Sequence, residues 1–404
     1  MAIQFGKAYY SQVVSFDNPP RILFGWGAID RLAEEASSLG SKEPLLVTDE
    51  NIERTQSFAS VKASLKKLDV DIEEYVLEVG EPTIDKAQIA VNHAREKEYD
   101  LVVGVGGGSV LDVSKLIAAL ICNPGDVEPY IDPMTDRFSK GSIPKILIPT
   151  TSGTGSEVSP LSVVVRGGLK DLAISKSLLA DVALLDPELT ISCPPSVTAS
   201  SGMDSLAHLL EGLMGRESMP ISDAIGFEGT ILATNALVKA FEEPTNKEAR
   251  IDMALASLMG GWMMCFPWAA ALTIGHCIAE TVGPKYGIPH GTICATVLPY
   301  VVVYNAEEIP KRIKRIAHAM AVETTEDAHE NGRRVAEKLL SMMERMNVPT
   351  TLELLGVPHE DLNKLAKLIV DERQQDYDLE TFNPKKLTYD NVKELMKNMG
   401  DGHL

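Results

Sequence analysis

The sequence predicts an α/β domain built on a parallel sheet and followed by an all-helical domain, and three observations carry that prediction. At 404 residues the chain exceeds what one hydrophobic core usually supports, so two domains are expected. Its first half alternates short apolar runs with stretches of helical period. Its second half shows the helical period alone.

In chain order, PLLVTD (44–49), DIEEYVLEV (71–79), LVVGVGGG (101–108), KILIPTT (145–151) and DVALLDP (181–187) each read as a strand running into a turn. Between them lie SFASVKASLKKL and IDKAQIAVNHAREKE, whose apolar residues recur at helical spacing. Strand and helix in alternation imply parallel pairing through crossover helices, with ligands at the carboxyl ends of the strands. The pattern changes after ISCPPSV (191–197). From Thr198 onward the segments are helical, most clearly AIGFEGTILATNALVKAF (224–241) and RIDMALASLMGGWMMC (250–265). The Pro194–Pro195 pair marks the boundary, giving domains 1–194 and 195–404.

Composition narrows the function classes. A net charge of −19 disfavours nucleic acid, whose phosphates need a basic field. No apolar run approaches the roughly 20 residues of a membrane span. The opening stretch MAIQFGKAYYSQVV lacks the basic-then-apolar order of a signal peptide. Five scattered cysteines (Cys122, Cys193, Cys265, Cys277, Cys294) form no CxxC pair and suit buried thiols in a reducing cytoplasm.

Gly106-Gly107-Gly108-Ser109 joins the strand LVVGV to the helical pattern VLDVSKLIAAL. Glycines let the backbone approach a phosphate, and a helix start offers free N–H groups and the positive end of its dipole. A tight turn chosen for conformational freedom is the plainer alternative. The motif is not the usual dinucleotide fingerprint, which places its acidic residue ~20 positions after the glycines. Here the candidate is Asp49, upstream, at the end of PLLVTD; it suits a ribose hydroxyl and repels a 2′-phosphate, or else serves only as a turn former. The polar loop after KILI, which carries Thr150, Thr151 and Thr154, suits close contact with a polar cofactor or is a plain solvent loop, and Asp112 in the helical segment after the glycines is a further cofactor candidate.

In SGMDSLAHLLEG, Asp204 and His208 stand one helical turn apart on one face. His276 lies in TIGHCIAE and His290 in YGIPHG. One carboxylate and three imidazoles can hold a divalent ion with a position open to a substrate oxygen, although a histidine in an apolar helix is commonly a core residue.

These segments together resemble the iron-containing, or group III, alcohol dehydrogenases. The similarity runs from Phe24-Gly25-Trp26-Gly27 to Asn383-Pro384 through GGGSVLDVSK (106–115), PTTSGTGSEVS (149–159), LLDPELT (184–190), GMDSLAHLLEG (202–212), the H-x3-E-x9-H arrangement (276–290) and IPHGTICATVLPYVVVYN (288–305). The resemblance implies a dehydroquinate-synthase-like fold with the metal in the cleft between its domains. It implies Asp204, His208, His276 and His290 as ligands of Fe²⁺, with Zn²⁺ suited to the same set. It also implies pyrophosphate on the glycine loop, Asp49 favouring NAD over NADP, threonines lining the cofactor site, and a homo-oligomer. The implied reaction is hydride transfer between the nicotinamide and a small primary alcohol or aldehyde, the metal acting as Lewis acid.

Two positions depart from or blur the family pattern. Many alcohol-specific members carry a second His one turn after the third ligand, where this chain has Glu280, a candidate proton acceptor or substrate partner. A ribose-reaching lysine is also expected before LLDP; Lys170 is near that place. Glycerol or diol oxidation and hydroxyacid–oxoacid transhydrogenation are rival activities on this scaffold. A non-catalytic nucleotide-binding protein is the rival from another class.

Overall fold

The computed structural model describes residues 21–266 and 272–404, so the opening stretch read for a signal peptide lies outside the described residues. The described chain forms two compact units. One runs to Pro194 and includes Pro244–Ala254; the other comprises Pro195–Glu243 and Leu255–Leu404.

The first unit contains a six-stranded sheet of β1 (Arg21–Phe24), β2 (Pro44–Asp49), β3 (Glu73–Leu77), β4 (Leu101–Gly106), β5 (Lys145–Pro149) and β8 (Val182–Leu185), in the order β1-β8-β5-β4-β2-β3. Every pairing in it is parallel. β2, β4 and β5 are mostly apolar and almost wholly buried, Asp49 at the end of β2 being half-buried, because helices cover both faces. One face packs against the helices Ile84–Ala94 and Gly108–Cys122, the other against Leu32–Ser38 and Gln56–Leu65. Thr55 and Thr83 start two of these helices, their hydroxyls accepting from the N–H of Phe58 and Lys86.

All five expected strands are present. A short first strand, β1, and an antiparallel hairpin, β6 (Leu161–Arg166) and β7 (Leu169–Ile174), add to them. The hairpin loop is Gly167-Gly168, both at positive φ, which matches the turn to the twist of the strands. Parallel order brings the ends of adjacent strands to one edge. Val47 pairs with Gly104 and Gly106 with Pro149, so Asp49, the glycine triplet and the Thr150–Thr154 loop leave the same side of the sheet.

From Pro195 onward the described residues contain helices and no strand. Pro195–Met214 and His290–Ala306 are buried on nearly every side, whereas Pro310–Ala319 and Ala328–Arg345 each turn an apolar stripe inward and most of their charges outward, Arg312 being buried against Asp223. No helix among the described residues is long and apolar enough to cross a membrane.

Candidate functional site

The glycine triplet closes against its neighbours. Gly107 caps the helix Gly108–Cys122, and the Thr150 N–H donates to the Gly106 carbonyl at 3.0 Å. A Cβ on Gly106 would stand 2.6 Å from Val110, and one on Gly108 would stand 2.6 Å from Thr154, so both backbones approach closer than any side chain permits. The Thr151 hydroxyl would lie 3.6 Å from a Cβ on Gly107. Thr150 is buried, and its hydroxyl has no hydrogen-bond partner among the described residues. A glycine cradle at a long helix N-terminus, bordered by hydroxyls, fits a dinucleotide pyrophosphate.

Asp49 and Ser109 line one pocket with Gly80, Pro82 and Lys86. Oδ1 of Asp49 accepts the N–H groups of Asn51 and Ile52 at 2.8 and 2.9 Å, so the residue forms a turn as well as facing the pocket. Asp112 is engaged inside the unit. It accepts from the Ser156 hydroxyl at 2.5 Å and the Val163 N–H at 3.1 Å, with the Lys115 ammonium 3.4 Å away. Lys170 pairs with Glu81 at 3.0 Å. The motif Asp186, not singled out beforehand, accepts the N–H groups of Gly27, Ile29 and Glu188 and so ties the first turn to the end of β8.

In the second unit, Asp204, His276, His290 and Cys294 bring one donor atom each within 4.8 Å of one another. Oδ1 of Asp204 lies 3.8 Å from His276 Nε2 and 3.6 Å from His290 Nε2. Cys294 Sγ lies 3.6 Å from His290 Nε2 and 4.0 Å from His276 Nε2. His208 stands outside this four-atom group, its ring stacked on His276 with centroids 4.6 Å apart. A carboxylate, imidazoles and a sulfur this close together, buried or nearly so, form a donor set that fits a divalent ion.

Glu211 was not among the expected residues. It lies on the Asp204 helix and stands 2.7 Å from Nδ1 of His276. It also accepts the N–H groups of Thr273 at 3.0 Å and His276 at 3.2 Å. Glu211 at Nδ1 turns Nε2 toward Asp204, the orientation that outer carboxylates impose on metal-binding histidines. Burial by itself lowers the His276 pKa, but Glu211 and Cys294 together outweigh it and hold the ring well above its usual value. Burial pushes the Cys294 thiol up to about 12. Gly275 makes room for Glu211, since a Cβ there would stand 2.5 Å from Oε1.

Glu280, one turn beyond His276, is buried and accepts a short hydrogen bond from the Tyr377 hydroxyl. Arg373 donates to the same hydroxyl at 3.0 Å and ends a π-helical turn, Ile369–Arg373. Burial and then Glu280 drive the Tyr377 pKa well above its usual value. Glu280 is thus tied to a distant segment of the chain.

A family model described as iron-containing alcohol dehydrogenase matches residues 19–187, and one described as the C-terminal part of the Fe-containing alcohol dehydrogenase family matches residues 198–400. Long-chain-alcohol dehydrogenase 1 of Geobacillus thermodenitrificans is 37% identical over 358 residues, covering 88% of this chain and 90% of its own. An alcohol dehydrogenase structure from Oenococcus oeni superposes with a TM-score of 0.89 at 27% identity, over 96% of this chain and 100% of that one. A sulfoacetaldehyde reductase structure from Bifidobacterium kashiwanohense, in complex with NAD⁺, superposes with a TM-score of 0.82 at 26% identity, over 96% and 99%.

Proposed function

Because the chain belongs to the iron-containing alcohol dehydrogenase family, we propose that it interconverts a small primary alcohol and its aldehyde with NAD as hydride carrier and a divalent ion at Asp204, His208, His276 and His290. The observation that carries this reading is the buried donor group with His276 already oriented by Glu211. An ion held there supplies Lewis acidity toward a substrate oxygen. The chain's own tasks are to fix His276 through Glu211, to exclude water around a buried donor set, and to hold the cofactor on the Gly106–Gly108 turn.

Residues to Pro194 take the cofactor role in this reading and those from Pro195 the metal role. Asp49 is assigned to the adenosine ribose; Gly106, Gly107, Gly108, Ser109, Thr150, Thr151 and Thr154 are assigned to the phosphates and their surroundings. Asp112 supports that loop through Ser156. Glu280 is assigned to the substrate side of His276, where its charge disfavours anionic substrates. A cytoplasmic location suits the five thiols, and a homo-oligomer is expected by size-exclusion light scattering.

The test is NADH formation by the full chain with a panel of primary alcohols, diols and 2-hydroxy acids, before and after metal removal. Turnover of alcohols that is lost with the metal and restored by Fe²⁺ or Zn²⁺ supports the reading. Turnover unaffected by complete metal removal, or no turnover with any alcohol at one ion per chain, overturns it.

A further inference from the structure

We propose that Tyr377 is a positioning residue for Glu280: it takes one carboxylate oxygen and leaves the other as a fixed acceptor for the hydroxyl of an uncharged alcohol. The inference rests on the metal-dependent reading above and adds the residue that gives Glu280 its direction.

Donor and acceptor chemistry carries it. A guanidinium only donates and an ionised carboxylate only accepts, whereas a phenol does both. Arg373 donates through Nη2 to the Tyr377 oxygen at 3.0 Å, and the Tyr377 hydroxyl donates to Oε2 of Glu280. The chain of bonds therefore runs one way, from Arg373 through Tyr377 to Glu280, and the phenol cannot reverse it. Arg373 is held in turn by Asp376, which accepts from Nη1 at 2.8 Å. The π-helical turn ending at Arg373 is a backbone irregularity of the kind that recurs at functional sites.

Glu280 is only 4% exposed, yet its second oxygen, Oε1, accepts no hydrogen bond from any described residue. A carboxylate held this deep is costly while one oxygen lacks a donor. Glu280 follows His276 by one turn on the same face of the helix Ile274–Tyr286, which sets their Cβ atoms about 5–6 Å apart. That span is the length of a small alcohol, so a substrate seated beside His276 presents a hydroxyl to Oε1. The carboxylate of a 2-hydroxy acid has no proton to offer there.

The experiment compares full-length wild type, Glu280→Gln, Tyr377→Phe and the double variant, each loaded with metal and NAD. It measures kcat and KM for primary alcohols, and the binding of 2,2,2-trifluoroethanol, an alcohol that resists hydride loss, by calorimetry. In Glu280→Gln the Tyr377 hydroxyl still donates, so the amide oxygen turns to it and the NH₂ takes the place of Oε1. An acceptor becomes a donor, and kcat/KM should fall roughly 10-fold or more, the scale of one hydrogen bond to a charged group, with most of the change in KM. Adding Tyr377→Phe frees the amide to turn its oxygen to the substrate, so the double variant should recover at least about threefold over Glu280→Gln in KM and in trifluoroethanol binding. A strut with no positioning role predicts the opposite, losses that add. Additive losses, or a Glu280→Gln KM within about threefold of wild type, overturn the role of Tyr377 and leave the metal-dependent reading standing. A wild type without metal-dependent turnover overturns both. If Glu280→Gln does not fold, Tyr377→Phe decides alone: a several-fold rise in KM at an unchanged melting temperature supports the role, and an unchanged KM overturns it.

Discussion

Replacing Glu211 by Gln isolates what its carboxylate does for His276. An amide has one acceptor oxygen where the carboxylate has two, yet Glu211 serves Nδ1 of His276 on one side and the N–H groups of Thr273 and His276 on the other. If the amide oxygen stays with the two N–H groups, its NH₂ meets Nδ1 and drives the ring proton to Nε2, the atom facing Asp204 and Cys294. If the amide turns over, two buried N–H donors lose their acceptor at about 1–3 kcal/mol each. The first arrangement is lower in energy, and it protonates the donor nitrogen. The expected loss in Zn²⁺ affinity is that of a removed outer partner, roughly 10–100-fold, or about 1.4–2.7 kcal/mol. Chelator competition on the full chain measures it, with the melting temperature of the metal-free protein as a check on folding. Gly275→Ala reaches the same place sterically, because its methyl would stand 2.5 Å from Oε1, and should produce a loss of similar size. A Glu211→Gln dissociation constant within about threefold of wild type, under ~0.7 kcal/mol, refutes the orienting role.

Asp49→Asn keeps an oxygen for the Asn51 and Ile52 N–H groups while removing the charge, so relative kcat/KM with NADP(H) should rise several-fold over NAD(H); an unchanged cofactor ratio removes Asp49 from that role. Glu157 is fully enclosed and its pKa is raised to about 7 by burial, so its proton stabilises the fold below pH 4.5 and that contribution is lost as pH rises through about 7. The loss is about 3 kcal/mol; urea unfolding should show the wild type losing that much relative to Glu157→Gln between these pH values, and parallel curves would contradict it. Glu280→Gln should raise activity with 2-hydroxy acids relative to uncharged alcohols; a ranking unchanged within about threefold, ~0.7 kcal/mol in barrier, assigns Glu280 to its Tyr377 contact alone.

Much of the architecture was legible because it is written in patterns of a few residues. The alternation of apolar runs and helical periods located the main strands, and the same local grammar placed helices after Pro195. The β6–β7 hairpin has a signal too, VVVRGGLKD, whose two-glycine loop between short strands differs from the apolar runs of the parallel sheet. Glu211 and Cys294 also had local signals, since Glu211 follows Asp204 by two helical turns and Cys294 follows His290 by one.

What local pattern does not contain is which residue on another element completes each group. Glu211 meets His276 across 65 residues and Glu280 meets Tyr377 across 97. Asp112 turns to Ser156 and Val163 within its own unit. The sequence by itself determined the fold class, the helix faces and the pool of acidic, imidazole and thiol side chains, because backbone propensity and solvent contrast act within a few residues. Only the tertiary structure decided that Cys294 joins Asp204, His276 and His290, that His208 stacks beside them, and that Glu211 orients the ring. A buried donor set is selected by which distant helices pack close enough to share a few ångströms of space.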